Sequence, residues 1–154
     1  MKIIAFIDNL SKGGAQGVFV NMVNYLCEKN YDITVTVQNL DDAIHLNNID
    51  KKVPVHNFNV YGAKNLFPKL KEYMKDKDID LVMAFTPEIA VNLLWARPFA
   101  PKKYAIIGRC INTLSYEYKH ADTFFRRYIT NTLVKLFIIR LIILSPNQWE
   151  WART

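Results

Sequence analysis

Short apolar runs recur along the chain, and polar or turn-forming residues bound each of them. Runs of this length that are rich in β-branched side chains predict buried strands. The segments with this pattern are residues 3–7, 33–38, 53–58, 81–85 and 104–108. The first run is apolar at every position, which is typical of a strand that is covered on both faces of a sheet.

The segments between these runs show the helical spacing of apolar residues instead. The predicted helices cover residues 15–29, 64–77 and 88–96, and the connection after the second strand leaves room for a short helix. Asn30 suits the C-terminal cap of the first helix, and Pro87 suits the start of the third. This alternation predicts an α/β fold, a Rossmann-like parallel sheet with helices on both faces.

The segment 128–144 is nearly long enough to span a bilayer. It contains Lys135 and Arg140, and each charge near the centre of a spanning helix costs roughly 2.5–3.5 kcal/mol. We therefore expect a helix to about residue 137 and then a sixth strand that ends at Ser145-Pro146, which makes a sheet of about six strands. A helix that lies on the membrane surface is the alternative for this segment.

The composition fits a globular domain. With 154 residues, of which 51% are apolar and 22% charged, the chain is large enough for a single domain with a substantial core. It has two cysteines, and Met1-Lys2 leads directly into the first strand without a signal peptide, so we expect a reducing, cytoplasmic location. The histidines show no ligand spacing, so a metal site is not expected.

The net charge of +6 is concentrated in the second half of the sequence. Residues 1–96 hold ten basic and eleven acidic residues, whereas residues 97–154 hold ten basic and three acidic ones. A cationic segment fits a nucleic acid, an anionic membrane surface or a phosphorylated substrate. Aromatic residues are interleaved with the basic ones, and this mixture favours a lipid interface, with a solvated basic face as the alternative.

A paired-glycine turn follows the first predicted strand, in the segment from Asp8 to Gln16. Gly13 and Gly14 lack a Cβ, so we expect their backbone to adopt positive φ and to approach a ligand, while the next helix points free N–H groups at the same place. Anionic or polyhydroxyl ligands suit such a site. The glycine spacing matches neither the dinucleotide fingerprint nor the P-loop, so NAD is not expected. An ordinary tight turn between a strand and a helix is the alternative.

Several segments, in the same order along the chain, resemble the N-terminal half of glycosyltransferase family 4 enzymes. They are residues 6–10 with Gly13-Gly14-Ala15-Gln16, residues 26–35, residues 80–85 with 92–94, Arg109-Cys110-Ile111-Asn112, and Ile143-Leu144-Ser145. The glycine turn is similar to the Gly-Gly-Ala-Glu turn of the family, with Gln16 where Glu is usual. Together the segments span nearly the whole chain.

The resemblance implies the N-terminal half of a GT-B fold, with residues 1–154 as a single acceptor-side domain. In the family a C-terminal domain binds the nucleotide-sugar donor through a Glu-x7-Glu motif, and we expect that domain to be absent from this chain. The resemblance also implies a retaining, metal-independent transferase with no cofactor besides its nucleotide-sugar co-substrate, and a fragment that is inactive alone. The implied location is cytoplasmic, peripheral at the inner face of the cell membrane, in bacterial polysaccharide biosynthesis.

The matching segments contain candidate substrate-binding residues, but no catalytic residue is assigned. The amides of Gly13 and Gly14 are candidates for binding the leaving phosphates. Arg109, at the end of the fifth strand, can bind a phosphate with its planar guanidinium, and Asn112 is a weaker companion. Glu88 follows the fourth strand and can accept a hydrogen bond from an acceptor hydroxyl. The alternatives are a surface salt bridge for Arg109, a loop contact for Asn112 and stabilisation of a helix start for Glu88.

A second group of candidates is basic. Lys119, Arg126 and Arg127 can hold the pyrophosphate of a lipid-linked acceptor at the membrane surface, where each basic group contributes about 1 kcal/mol. We therefore expect an acceptor-binding transferase domain. The alternatives are a non-catalytic subunit that recruits a separate donor-binding partner to the membrane, and a nucleic-acid-binding module, for which the sequence has no recognised motif.

Overall fold

The computed structural model describes residues 1–108 of the chain. Its strands are β1 (Lys2–Ile7), β2 (Asp32–Val37), β3 (Val55–Asn57), β4 (Leu81–Ala84) and β5 (Ala105–Gly108). Its α-helices are α1 (Gly14–Glu28), α2 (Ala63–Met74) and α3 (Pro87–Ala96). Two short 3₁₀ helices, Ile44–Asn48 and Arg97–Phe99, lie in the connections. These elements confirm the strands and helices that the sequence predicts for this part of the chain.

The five strands form one parallel sheet in the order β3-β2-β1-β4-β5. β1 lies in the centre, where Ile3 aligns with Ile33 of β2 on one side and with Leu81 of β4 on the other. The chain builds the sheet outward from β1 to β3 and then returns to place β4 on the opposite side of β1. This confirms the predicted parallel α/β fold and creates a topological switch point between β1 and β4. The predicted sixth strand lies outside the described residues.

Helices cover both faces of the sheet, so alternate side chains of β1 enter two separate cores. Phe6 belongs to the core that contains Leu70 of α2 and Leu93 of α3. Ile7 belongs to the core that contains Phe19 of α1. Every residue of β1 except the first is buried, which explains why the run is apolar at each position.

The ends of the helices follow the local sequence. Asn30 has a left-handed conformation with φ 60°, and its N–H donates to the Cys27 carbonyl at 2.9 Å, which confirms the predicted cap after α1. α2 ends at Met74 rather than at residue 77. Met74 is fully buried, whereas the charged residues 75–77 are exposed. Residues 75–78, which would form the next turn, are all charged and therefore provide no apolar side chain to hold that turn against the core.

Within the described part of the chain, no helix combines the length and the apolar character that crossing a bilayer requires. α1, the longest helix of that part, has 15 residues, and a spanning helix needs about 20 apolar ones. The segment 128–144, for which the sequence left two interpretations open, lies outside the described residues.

Candidate functional site

The two loops at the topological switch point form the candidate site. The loop between β1 and α1 covers residues 8–13, and the loop between β4 and α3 consists of Phe85 and Thr86. Both loops leave the carboxyl ends of adjacent parallel strands, and their helices then pack on opposite faces of the sheet. Open α/β sheets bind ligands in the crevice that such a divergence creates. We call the two loops and the first turns of α1 and α3 the switch-point edge.

Buried contacts join the two halves of the switch-point edge. The Phe85 N–H donates to the Phe6 carbonyl at 2.9 Å, directly after the paired residues of β1 and β4. The Phe85 ring meets the Phe19 ring of α1 edge to face, with 4.8 Å between centroids. Phe19 is 0% exposed and Phe85 is 3% exposed. Gly13 and Gly14 therefore begin one side of the switch point and Glu88 the other, and the ring of Phe85, next to α3 in the chain, packs in the core on the α1 face of the sheet.

Asn9 organises the loop between β1 and α1. Its side-chain oxygen accepts hydrogen bonds from the Ser11 N–H at 3.1 Å, the Ser11 hydroxyl at 2.7 Å and the Gln16 side-chain amide at 3.3 Å. Leu10 is fully buried, and its carbonyl accepts from the His45 N–H at 3.0 Å, which ties the loop to the connection after β2. These bonds fix the path of the chain into α1.

Gly13 and Gly14 do not have the positive φ that the sequence led us to expect. Gly13 has φ 178°, an extended conformation that any residue can adopt, and Gly14 begins α1. Within residues 1–108, Gly62 is the glycine with positive φ. Gly13 is instead packed closely against a side chain, because an added Cβ would collide with the amide oxygen of Gln16. Gly14 has open space around it, so a side chain fits there.

The N-terminus of α1 is uncapped. The N-cap residue is Gly13, which has no side chain to accept a hydrogen bond from the first-turn N–H groups, and the first turn contains no acidic residue. The first hydrogen bond of the helix runs from the Gly17 N–H to the Gly13 carbonyl at 3.1 Å. Within residues 1–108 the N–H groups of Gly14, Ala15 and Gln16 therefore have no hydrogen-bond partner. With the helix dipole they place partial positive charge at the switch-point edge, which suits an anion.

The N-terminus of α3 is closed by its own residues. Thr86 is the N-cap, and its hydroxyl accepts from the Ile89 N–H at 3.4 Å. Pro87 occupies the first helical position, where a missing N–H has no cost. The half-buried Glu88 lies in the first turn, where its negative charge offsets the helix dipole. This position agrees with the stabilising alternative for Glu88, and it also keeps a carboxylate at the switch-point edge.

Asp8 is a residue of this edge that the sequence analysis did not assign to a site. Its carbonyl accepts from the N–H groups of Gln38 at 3.0 Å and Asn39 at 3.3 Å, which fixes its backbone against the end of β2. Its half-buried carboxylate accepts from the Asn9 side-chain amide at 3.1 Å. A carboxylate in this place can also accept from a sugar hydroxyl. The available signal was its position, directly after a central strand at the carboxyl edge of the sheet.

The remaining predicted site residues lie outside the described residues. They are Arg109, Asn112, Lys119, Arg126 and Arg127. In sequence, Arg109 follows the last residue of β5, and β5 pairs with β4. Of the predicted set, the structure thus describes Gly13, Gly14 and Glu88, and it brings these three to one edge of the sheet.

Among residues 1–108, the side chains that could bind a metal ion show no cluster at this edge. Within residues 1–108, no three His, Cys, Asp or Glu side chains are close enough together to hold a metal ion. His56 of β3 stacks on Tyr73 of α2, with 4.4 Å between ring centroids. Burial, and to a smaller degree the charge of Lys77, lowers the pKa of His56 from its usual 6.5. This aromatic cluster belongs to the packing of α2 against the sheet.

The switch-point edge thus combines free helical N–H groups at α1, the carboxylates of Asp8 and Glu88, and a loop that internal hydrogen bonds hold in place. Such a set can bind the anionic and the hydroxyl-bearing parts of one ligand. In comparisons with known proteins, no protein-family model and no curated sequence matches the chain.

Proposed function

We propose that this chain is the acceptor-binding domain of a nucleotide-sugar glycosyltransferase, whose acceptor is a membrane-associated glycan or a lipid-linked molecule. The observation that carries the proposal is the unequal pair of helix N-termini at the switch point. Within residues 1–108, the first N–H groups of α1 have no hydrogen-bond partner and its first turn has no acidic residue, whereas α3 is capped and has an acidic first turn. The parallel fold and the resemblance of the β1–α1 segment to glycosyltransferase family 4 support the same function.

In this proposal α1 binds the phosphates of the substrate. Sugar transfer from a nucleoside diphosphate leaves negative charge on the departing phosphate oxygens, and fixed donors aimed at that charge lower the barrier. The N–H groups of Gly14, Ala15 and Gln16 are such donors, and no acidic side chain in the first turn of α1 opposes them. Because the bonds to Asn9 already hold the loop, binding requires little reorganisation.

The carboxylates of the switch-point edge bind the acceptor. Asp8 and Glu88 follow adjacent central strands, so each can accept a hydrogen bond from a hydroxyl of a sugar held between the two loops. Such a bond orients the attacking oxygen toward the donor. Neutralisation of the phosphates by α1 gives the site the charge that a metal ion would otherwise supply, in line with a metal-independent, retaining transferase.

In enzymes of this kind a second domain binds the nucleoside of the donor, so we expect residues 1–154 alone to bind ligand weakly and not to turn over. The transferase works at the cytoplasmic face of the membrane. The resemblance supports that location, as does the basic, aromatic-rich sequence of residues 97–154.

A charge placed in the first turn of α1 tests the proposal. Gly14→Asp puts a carboxylate where the phosphates would bind, in open space and at a helix N-terminus that tolerates it. We expect the affinity for uridine diphosphate, measured by calorimetric titration, to fall by about tenfold or more, equivalent to about 1.4 kcal/mol. The melting temperature should stay the same or rise, which would show that the loss of affinity is not caused by unfolding.

Gly14→Ala is the matched control, because it adds the same Cβ without a charge. It should bind uridine diphosphate as tightly as the unchanged protein does, and inorganic pyrophosphate should compete in both. Equal affinity in all three proteins would show that α1 does not hold the phosphates. The alternative, a non-catalytic recruiting subunit, predicts binding to lipid vesicles without any affinity for the nucleotide.

A further inference from the structure

An exposed aromatic cluster lies on the outer surface of α2 and α3. Trp95, near the end of α3, is 46% exposed, and Phe99, in the following 3₁₀ helix, is 43% exposed. The Trp95 ring meets the half-buried Phe67 of α2 edge to face, with 6.1 Å between centroids. Adjacent exposed aromatic side chains, unlike single ones, mark an interaction surface. We call Phe67, Trp95 and Phe99 the aromatic patch.

The charges beside the aromatic patch are basic. The Lys71 Nζ lies 4.0 Å from the centroid of the Phe99 ring, in a cation–π contact. Arg97 lies between Trp95 and Phe99 in the chain, and its buried Nε has no hydrogen-bond partner in the described residues. Neither Lys71 nor Arg97 forms an ion pair within residues 1–108. Lys71 is therefore available to an anionic partner as far as the described residues are concerned, whereas the Nε of Arg97 is buried.

The acidic residues of the two helices lie elsewhere. α2 contains Glu72, which is bound to Lys75 at 2.7 Å, and α3 contains Glu88. Glu88 lies in the first turn of α3, at the opposite end from Trp95. The charged side chain in contact with the aromatic patch is thus the basic one of Lys71.

The combination of exposed aromatic residues with a basic side chain distinguishes a lipid-binding surface from a protein-binding one. Trp is common in both kinds of interface, but Lys is depleted in protein–protein interfaces, whereas Lys and Arg beside Trp and Phe are typical of proteins that bind anionic lipid. We infer that the aromatic patch, together with Lys71, binds the surface of an anionic lipid bilayer. The inference rests on the proposed function for the membrane-associated acceptor, and it assigns the membrane contact to α2 and α3.

The position of the aromatic patch keeps the candidate site accessible. α2 and α3 both begin at the carboxyl edge of the sheet, and Trp95 and Phe99 lie beyond the middle of α3, toward the other edge. α1, with its free N–H groups, packs on the opposite face of the sheet. A bilayer that contacts α2 and α3 therefore leaves the switch-point edge open to a donor from the aqueous side.

Fluorescence of Trp95 tests this contact directly. The chain has three tryptophans, so Trp149→Phe and Trp151→Phe leave Trp95 as the only one. We expect brominated phosphatidylglycerol in mixed vesicles with phosphatidylcholine to quench Trp95 fluorescence. Brominated phosphatidylcholine in vesicles without anionic lipid should leave it unchanged, because the charge of Lys71 requires an anionic lipid for attraction.

Charge and ring substitutions test the same surface in the full chain by vesicle flotation. Lys71→Glu with Trp95→Ala should lower the fraction bound to phosphatidylglycerol vesicles by about tenfold, since one basic group contributes about fivefold and the ring adds to it. The matched control is Lys29→Glu with Tyr25→Ala at the C-terminal end of α1, where Lys29 Nζ lies 5.4 Å from the Tyr25 ring centroid. Those residues are on the opposite face of the sheet, and their loss should leave flotation unchanged.

Three results would overturn the inference. The first is flotation without quenching of Trp95, which would put the lipid contact in another part of the chain. The second is an equal loss of flotation in the two double variants. The third is self-association that Trp95→Ala abolishes in the absence of lipid binding, which would make the patch an interface between two copies. Thermal melting of Lys71→Glu alone checks that the charge change does not unfold the protein. Unchanged affinity for uridine diphosphate in the Lys71→Glu, Trp95→Ala variant would show that failure of the membrane contact is not failure of the proposed function.

Discussion

α1 and α3 begin at adjacent strands of one sheet, yet their N-termini are satisfied in opposite ways. α3 has a threonine cap, a proline at its first position and a glutamate in its first turn. α1 begins at Gly13-Gly14 with neither a side-chain cap nor an acidic residue. Helix ends are normally capped, because free N–H groups lower stability. This difference is what the proposed function requires, because it leaves the first turn of α1 able to accept an external anion while α3 is stabilised by its own residues.

The largest loss of stability is expected where the loop before α3 packs on α1. Phe85→Ala removes the buried ring that packs on Phe19 of α1, and truncation of a buried Phe costs about 3–5 kcal/mol. Urea unfolding should show this loss. The control is Phe99→Ala at an exposed position, which should cost about 1 kcal/mol or less. Equal costs for the two variants would mean that Phe85 does not hold the halves of the switch-point edge together.

A smaller effect is expected from the cap of α3. Thr86→Ala removes the hydroxyl that accepts from the Ile89 N–H, and loss of such a cap costs about 1 kcal/mol. Thr86→Ser keeps the oxygen and should retain most of the stability. Hydrogen exchange of the Ile89 amide should accelerate in the alanine variant alone. Matching exchange rates in the two variants would show that Thr86 does not cap the helix.

The smallest changes in stability are expected from charge substitutions at the N-termini of α1 and α3. Relative to Gly14→Ala, Gly14→Asp should stabilise the fold by about 0.3–1 kcal/mol, because its charge faces the uncompensated dipole of α1. Glu88→Gln should destabilise the fold by a similar amount, since Glu88 already offsets the dipole of α3. Thermal unfolding at low and high salt measures both changes, and high salt should shrink them. A destabilising Gly14→Asp would contradict the difference drawn between the two helices.

Much of the fold can be predicted from the sequence, because burial of a strand or a helix face leaves a periodic pattern. The run at residues 3–7 is apolar throughout because helices cover both faces of β1. Strand order leaves no such pattern, so the switch point between β1 and β4 becomes visible only when the strands are paired. The end of α2 was missed because it depends on Met74 reaching the core, which periodicity does not measure.

The candidate site is less accessible to sequence reasoning. Adjacent glycines indicate a turn, but the expected positive φ at Gly13 and Gly14 was wrong, since Gly13 is extended and Gly14 begins α1. Asp8 was missed because its place at the switch-point edge follows from the order of the strands in the sheet, which the sequence does not show. The aromatic patch was not predicted, because the charge distribution of the sequence points to the basic residues after position 97. The exposure of Trp95 depends on how α2 and α3 pack, which the sequence does not show.

The most direct test of the account is the response of individual amides to a nucleoside diphosphate. In ¹H–¹⁵N spectra of the full chain titrated with uridine diphosphate, the amides of Gly14, Ala15 and Gln16 should shift with one common dissociation constant. The amide of Ile89, which already donates to Thr86, should stay in place. Shifts at the first turn of α3 with none at α1, or no saturable shift at either helix, would contradict the account.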